Sequence, residues 1–229
     1  MTPTETPGGG APATRVKTCD ASGMAMIHRM FRASYAEAPG LVAGVQDGDR
    51  AHATLVADHL DLMARMLHAH HEGEDARLWP ALDERAPACA LHVDRMKRQH
   101  RDILTAVDEL EAVLPAWRAS ASTADAAPVL AALERANAAL AVHLPDEEAS
   151  IVPEMEYTLS GAEMAWFAEH GRKSIPMRST WPALGLIMAA QPDGGEHFLR
   201  TELPPPFRWL WHLVGKRSYA RYRTALAGA

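Results

Sequence analysis

VDRMKRQHRDILTAVDELEAVL, residues 93–114, is the stretch whose reading decides the fold. Val93, Met96, His100, Ile103, Val107, Leu110 and Leu114 recur at alternating spacings of three and four, the seam of a helix packed in a bundle. Its one polar member is His100. A histidine inside such a seam is either hydrogen-bonded to a neighbour or one of several donors converging on something else, and only the other helices can tell which.

The rest of the chain reads as helix too. Ala, Leu and Met are abundant, while β-branched and aromatic runs of period two are scarce, so propensity favours an all-α protein. A first helix is expected from near Asp20 or Ser22, with Met24, Ile27, Phe31 and Tyr35 on its stripe, His28 among them, and Pro39 and Gly40 breaking or kinking it. Asp49 caps a long second helix with Val56, Met63, Met66, His70, Glu74 and Leu78 inward, ending around Pro80 to Pro87. The fourth offers Val129, Leu133, Ala136, Leu140, His143 and Glu147. Ser160 and Glu163 have the spacing of a capping box for a short helix through about Lys173. Together these predict an antiparallel up-down-up-down four-helix bundle over residues 19–174, with a helical C-terminal extension, residues 175–229, packed on it. Within the extension, helical fragments are expected near Pro182–Ala190, Phe207–Val214 and Ser218–Leu226. The Pro, Gly and Thr-rich residues 1–18 read as a disordered leader without the apolar core of a signal peptide.

Composition narrows the function classes. The net charge of −6 comes from mixed signs without a long basic block, which argues against a nucleic-acid footprint. The apolar run WPALGLIMAA is too short to span a bilayer. Cys19 and Cys89 form no CxxC pair and read as ordinary thiols of a reducing compartment, so a cytoplasmic protein with small molecules or proteins as partners is expected.

The chemistry lies in a repeat. His70, Glu74, Asp75, Leu78, Trp79 and Pro80 spell His-x3-Glu-Asp-x2-Leu-Trp-Pro; His143, Glu147, Glu148, Ile151, Val152 and Pro153 spell His-x3-Glu-Glu-x2-Ile-Val-Pro. Positions four apart lie one turn apart on one helix face, so both side chains reach one centre. Twelve histidines make a lone His-x3-acid pair weak, but the extended repeat and one histidine on each of four core faces are stronger. Burying these groups without partners costs several kcal/mol each, roughly. A shared metal is the simplest compensation, and imidazole with carboxylate suits iron, zinc, manganese or copper.

With these residues in place the chain resembles the hemerythrin-like, or HHE, cation-binding domains, whose pattern is H…HxxxE…H…HxxxE on four antiparallel helices. The resemblance covers residues 20–155 and matches at His28, His70, Glu74, His100, His143 and Glu147. It implies two non-heme iron ions joined by an oxo or hydroxo bridge, with His28 and His70 on one iron, His100 and His143 on the other, and Glu74 and Glu147 bridging. Two departures from the oxygen carriers stand out: Met96 occupies the place of a second histidine on the third helix, and the fourth helix has His-x3-Glu in place of His-x4-Asp. Four histidines and two carboxylates leave one open position per iron. That favours catalase-like peroxide breakdown, or sensing of O₂, NO or iron, over reversible oxygen carriage. The competing readings are a non-catalytic oxygen-, iron- or NO-responsive module, and a zinc-loaded or metal-free structural bundle.

Around this set, His59 is expected at the core or bundle end, roughly 16 Å along the axis from His70. His68 and His71 are expected to be solvent-facing or interhelical, with His71 as a reserve ligand. Glu72, Asp75 and Glu148 read as outer partners or surface groups, Tyr35 as core packing, and Trp79 with Pro80 as a helix terminator under the ligand turn. The stretch from Phe207 onward is aromatic and then basic with no acid, the mark of a membrane-surface or acidic-partner contact, or of a segment laid across the bundle end.

Overall fold

The computed structural model describes residues 15–228, and the described residues contain helices but no strand. Four long helices form the bundle: α1 (Ser22–Ala43), α2 (Arg50–Gly73), α4 (Ala90–Ser120) and α5 (Thr123–Ser150). Each packs on its sequence neighbour in that series, and α1 against α5 closes the ring. Between α2 and α4 lies α3 (Trp79–Arg85), joined to α2 by a π-helical turn, Glu74–Leu78. After α5 come α6 (Val152–Thr158) and α7 (Gly161–Ser174), then α8 (Thr180–Ala189), α9 (Glu196–Thr201), α10 (Pro205–Leu210) and α11 (Lys216–Leu226).

Local chemistry sets several boundaries. The Asp49 carboxylate accepts from the His52 amide at the start of α2, and Ser122 does the same for Asp125 at the start of α5. Ser160 and Glu163 form the reciprocal capping box of α7. Helix α1 runs through Pro39 to Ala43, so of the break or kink expected there the break is absent. Pro80 likewise opens α3 at its first turn instead of ending a helix. In the extension, α9 had no expectation attached, and α10, a π-turn and α11 follow one another without a gap.

The leader expected over residues 1–18 falls outside the described residues for 1–14. Its last residues are held against α6: Arg15 and Lys17 pair with Glu154 and Glu156, and the Thr18 amide donates to the Glu156 carbonyl at 2.7 Å.

Two apolar clusters flank a polar layer. The larger runs from Met30 through Val56, Leu60, Ile103 and Leu114 to Leu140, and includes Ala183, Leu186 and Leu226 of the extension. The smaller holds Met24, Leu78, Trp79, Met96, Met155 and Phe167 at the other end. All seven members of the 93–114 seam are buried. Between the clusters, at the same level of the bundle, lie His28, His70, Glu74, His100, His143 and Glu147.

Candidate metal centre

The antiparallel arrangement brings these residues to one level. His28 lies early in α1 and His100 early in α4, whereas His70 and His143 lie late in α2 and α5. One turn beyond each of the latter comes a glutamate, Glu74 and Glu147. Both glutamates and all four histidines are at most 5% exposed.

The donor atoms fall into two groups. Those of His28, His70, Glu74 and Glu147 lie within 4.8 Å of one another, as do those of His71, Glu74, His100 and His143. Glu74 stands between the groups, with Oε1 3.3 Å from His70 Nε2 and Oε2 3.3 Å from His100 Nε2. Glu147 also spans them, its Oε2 3.4 Å from Nε2 of both His28 and His143.

Outer partners orient three rings. His28 Nδ1 is 3.0 Å from a Glu148 oxygen, His100 Nδ1 is 3.0 Å from an Asp75 oxygen, and His143 Nδ1 is 3.2 Å from Gln99 Oε1. Because these partners accept, each Nδ1 carries the proton and each Nε2 presents its lone pair inward. The acid following the glutamate in each copy of the repeat thus serves a histidine on a neighbouring helix. Asp75 crosses to α4 and Glu148 to α1, where Arg32 also donates to Glu148 at 2.9 Å. Gln99 carried no sequence signal. Glu72 is exposed on the surface.

The inward atoms lack other partners. Both oxygens of Glu74 and of Glu147, and Nε2 of His71, His100 and His143, are buried without a hydrogen bond. Nε2 of His28 and of His70 face each other at 3.1 Å, and the outward proton on His28 makes at least its own nitrogen a lone-pair donor there. Native proteins rarely leave even one such group unpaired. Burial pushes the Glu74 and Glu147 carboxyls well above the usual carboxylate range, and the charge of Glu74 adds to the effect on Glu147. Burial and neighbouring imidazoles push His70 and His71 well below the ordinary histidine value, and His143 down to about 2. At neutral pH His143 is therefore uncharged, and its 3.4 Å contact with Glu147 is not an ion pair. Lone pairs converging from every side are a poor arrangement for protein alone and a good one for cations, so the donor set fits a pair of metal ions.

His71 is the main addition to the expected set. It is 8% exposed, interhelical rather than solvent-facing, and stacked on His100 at 4.1 Å with a 21° interplanar angle. The 100° that separates His70 from His71 around α2 does not take His71 out of the interior, because α2 is flanked by α1 on one side and α4 on the other. Phe31 and Phe167 lie 5.3 and 5.4 Å from the His70 ring, and Trp79 lies 5.5 Å from His100, so apolar rings wall the layer. Tyr35 belongs to the larger apolar cluster, outside both donor groups. His68 sits half-buried at the rim, 3.7 Å from Glu111 of α4.

Within the extension α11 lies away from this layer, whereas Gln191, after α8, bonds α1 beside His28, its Nε2 donating to the Met26 carbonyl and its Oε1 accepting from Arg29. The buried His59 ring is hydrogen-bonded to the Tyr222 hydroxyl at 2.6 Å, His52 Nε2 bonds the Leu226 carbonyl at 2.9 Å, and Arg223 pairs with Glu37. Helix α11 therefore rests on the half of α2 remote from His70 and does not cover the metal end. That end is closed by α3, α6 and α7. Cys19 and Cys89 are free and half-buried. Among the described residues, no helix is long and apolar enough to cross a membrane.

An antiparallel four-helix bundle with histidines and carboxylates converging in its interior defines a cation-binding bundle protein. The family model of the hemerythrin HHE cation binding domain matches residues 21–155, and the chain belongs to that family. Comparisons with curated proteins and with solved structures returned no match.

Proposed function

We propose that this protein holds two non-heme iron ions, joined by an oxo or hydroxo bridge, and handles a small oxidant or gas at them: peroxide, O₂ or NO. His28 and His70 would hold one ion, His71, His100 and His143 the other, with Glu74 and Glu147 reaching both. The observation that carries this reading is the set of seven buried donor atoms without any other partner. Iron fits the family, and a redox-active pair supplies one- and two-electron chemistry toward diatomic ligands when bound.

The protein's own contributions are orientation and exclusion. Asp75, Gln99 and Glu148 fix three rings with Nε2 inward, and the two carboxylates sit where they neutralise cationic charge in a dry layer. Phe31, Phe167 and Trp79 limit water around the donors.

Peroxide disproportionation, two H₂O₂ giving O₂ and two H₂O, is the specific enzyme form of this reading. His71 weighs on the other side. A fifth histidine removes one of the two open positions that four histidines would leave, which favours binding or sensing at a single position. Neither donor group contains a protonatable side chain that is free of ligand duty. Metal analysis with optical spectra tests the centre: about two irons per chain with near-ultraviolet oxo-to-iron bands is the expected result, and one zinc or no metal refutes it. Oxygen evolution from added peroxide, lost in His70→Ala and Glu147→Ala, then identifies an enzyme; full iron without turnover identifies the binding module.

A further inference from the structure

Helices α10 and α11 and the π-turn between them, Trp211–Gly215, form one unbroken helical stretch from Pro205 to Leu226. Its inward side holds Trp211, Gly215, Tyr219, Tyr222 and Leu226. Trp211 packs with Leu184 and Met188 of α8, while Tyr219, Tyr222 and Leu226 join the larger apolar cluster. A Cβ on Gly215 would come within 2.9 Å of the Trp181 ring, so the stretch lies tight on α8.

The outward side is apolar and cationic. Trp209 is 63% exposed, Val214 50%, and Phe207 and Leu213 47% each. The other exposed large hydrophobic side chains among the described residues are single positions elsewhere in the chain, so these four form a cluster of the kind that marks an interaction surface. From Phe207 onward the chain carries five Lys and Arg residues and no Asp or Glu, against a net charge of −6 for the whole. Arg223 pairs with Glu37, and Arg208 donates to the Leu203 carbonyl at 2.7 Å. Lys216, Arg217 and Arg221 are exposed and have no ion-pair partner among the described residues. Leu213, Val214, Arg217 and Arg221 line a single surface depression, so the apolar and cationic groups belong to one patch.

We propose that this face docks on the surface of a bilayer bearing anionic lipids, lying in the interface without crossing it. Indole and aliphatic side chains enter the boundary between headgroups and acyl chains, while the long Lys and Arg stems leave their charges at the lipid phosphates. Each free cation contributes about fivefold to the affinity for an anionic surface, so the three together contribute roughly 100-fold. An acidic protein could match the cations, but it would also need a pocket shaped for a protruding indole; a bilayer needs no such fit. On the inward side, Tyr222 to His59 and Arg223 to Glu37 tie the stretch to the bundle, so docking carries the whole bundle to the membrane. The inference is independent of the metal reading.

Flotation of the full-length chain with lipid vesicles is the test. Wild type should float with vesicles of phosphatidylcholine and phosphatidylserine, at least tenfold less with phosphatidylcholine alone, and dissociate as salt is raised. Lys216→Gln, Arg217→Gln and Arg221→Gln, combined, should weaken binding roughly 100-fold. Brominated acyl chains should quench tryptophan fluorescence in wild type and much less in Trp209→Phe. No binding to the anionic vesicles overturns the inference, as does equal binding to both compositions or quenching unaltered in Trp209→Phe. Retention on immobilised polyglutamate, or a dimer dissolved by Trp209→Ser, with no binding to either vesicle assigns the face to an acidic protein or to a second copy, and overturns it too. Should the triple variant not fold, the comparison of the two vesicles with wild type and the quenching experiment decide the matter.

Discussion

Replacing Glu147 by methionine should stabilise the metal-free protein and abolish its stabilisation by metal. The carboxyl is completely buried and both its oxygens lack hydrogen-bond partners. Its neighbours add to the cost: Glu74 raises its pKa further, and His143 is uncharged at neutral pH. Leaving such a group buried and unpaired costs about 1–3 kcal/mol, and replacing buried charged groups with apolar residues of similar volume is often neutral or stabilising. Taking about 2 kcal/mol and a shift of roughly 2–4 °C per kcal/mol for a chain of this size, the metal-free melting temperature should rise by about 4–8 °C. The metal-bound wild type should gain about 2.7 kcal/mol when free metal is 100-fold above Kd, and the variant should gain none of it. Calorimetry in excess chelator, and again with cobalt(II) as a redox-inert occupant, measures both. A metal-free Glu147→Met protein that melts below wild type would refute the reasoning, since it would mean that the carboxylate makes a stabilising contact within the bare bundle.

Asp75→Asn and Glu148→Gln should each weaken metal binding by roughly 10–100-fold while preserving helicity, because they disturb ring orientation and basicity at His100 and His28; competitive chelator titration reads this, and unchanged affinity in both rejects the orienting role. Gly73→Ala would place a Cβ 2.8 Å from the Phe167 ring and 3.2 Å from the His170 ring, so these side chains of α7, or the helix with them, must shift; a loss of about 1–3 kcal/mol is expected, with faster amide exchange over residues 161–174. His59 is held down to about 4 by burial and the nearby Arg223, against the opposing pull of Glu37. Its folded value lies below the unfolded one, so its contribution is complete above about pH 6.5 and is lost as pH falls toward 4, at most about 3 kcal/mol. Urea unfolding should therefore show a steeper decline over that window in wild type than in His59→Gln. Equal slopes would mean that burial does not hold the ring neutral.

The division between what was legible and what was not follows from the range of the forces involved. Helix periodicity is a local property, so the seam from Val93 to Leu114, the inward faces of α2 and α5, the Asp49 cap and the Ser160 capping box could all be read from spacing, and the structure agrees. The six residues from His28 to Glu147 stood out because each breaks an apolar stripe, and a broken stripe is visible in one dimension. Tertiary structure alone decided which side chains fill the arc between two stripes. His71 lies 100° from the main face of α2, and only the packing of α4 against that flank turns it from a rim residue into a member of the layer. The same holds for Asp75 and Glu148, whose partners sit on other helices, and for Gln99, which had no signal of its own. Helix α11 had an unmistakable composition and no destination until Tyr222, Arg223 and Leu226 met His59, Glu37 and His52. Spacing along a helix states which way a residue points, but what it meets there depends on a neighbour placed by the rest of the fold.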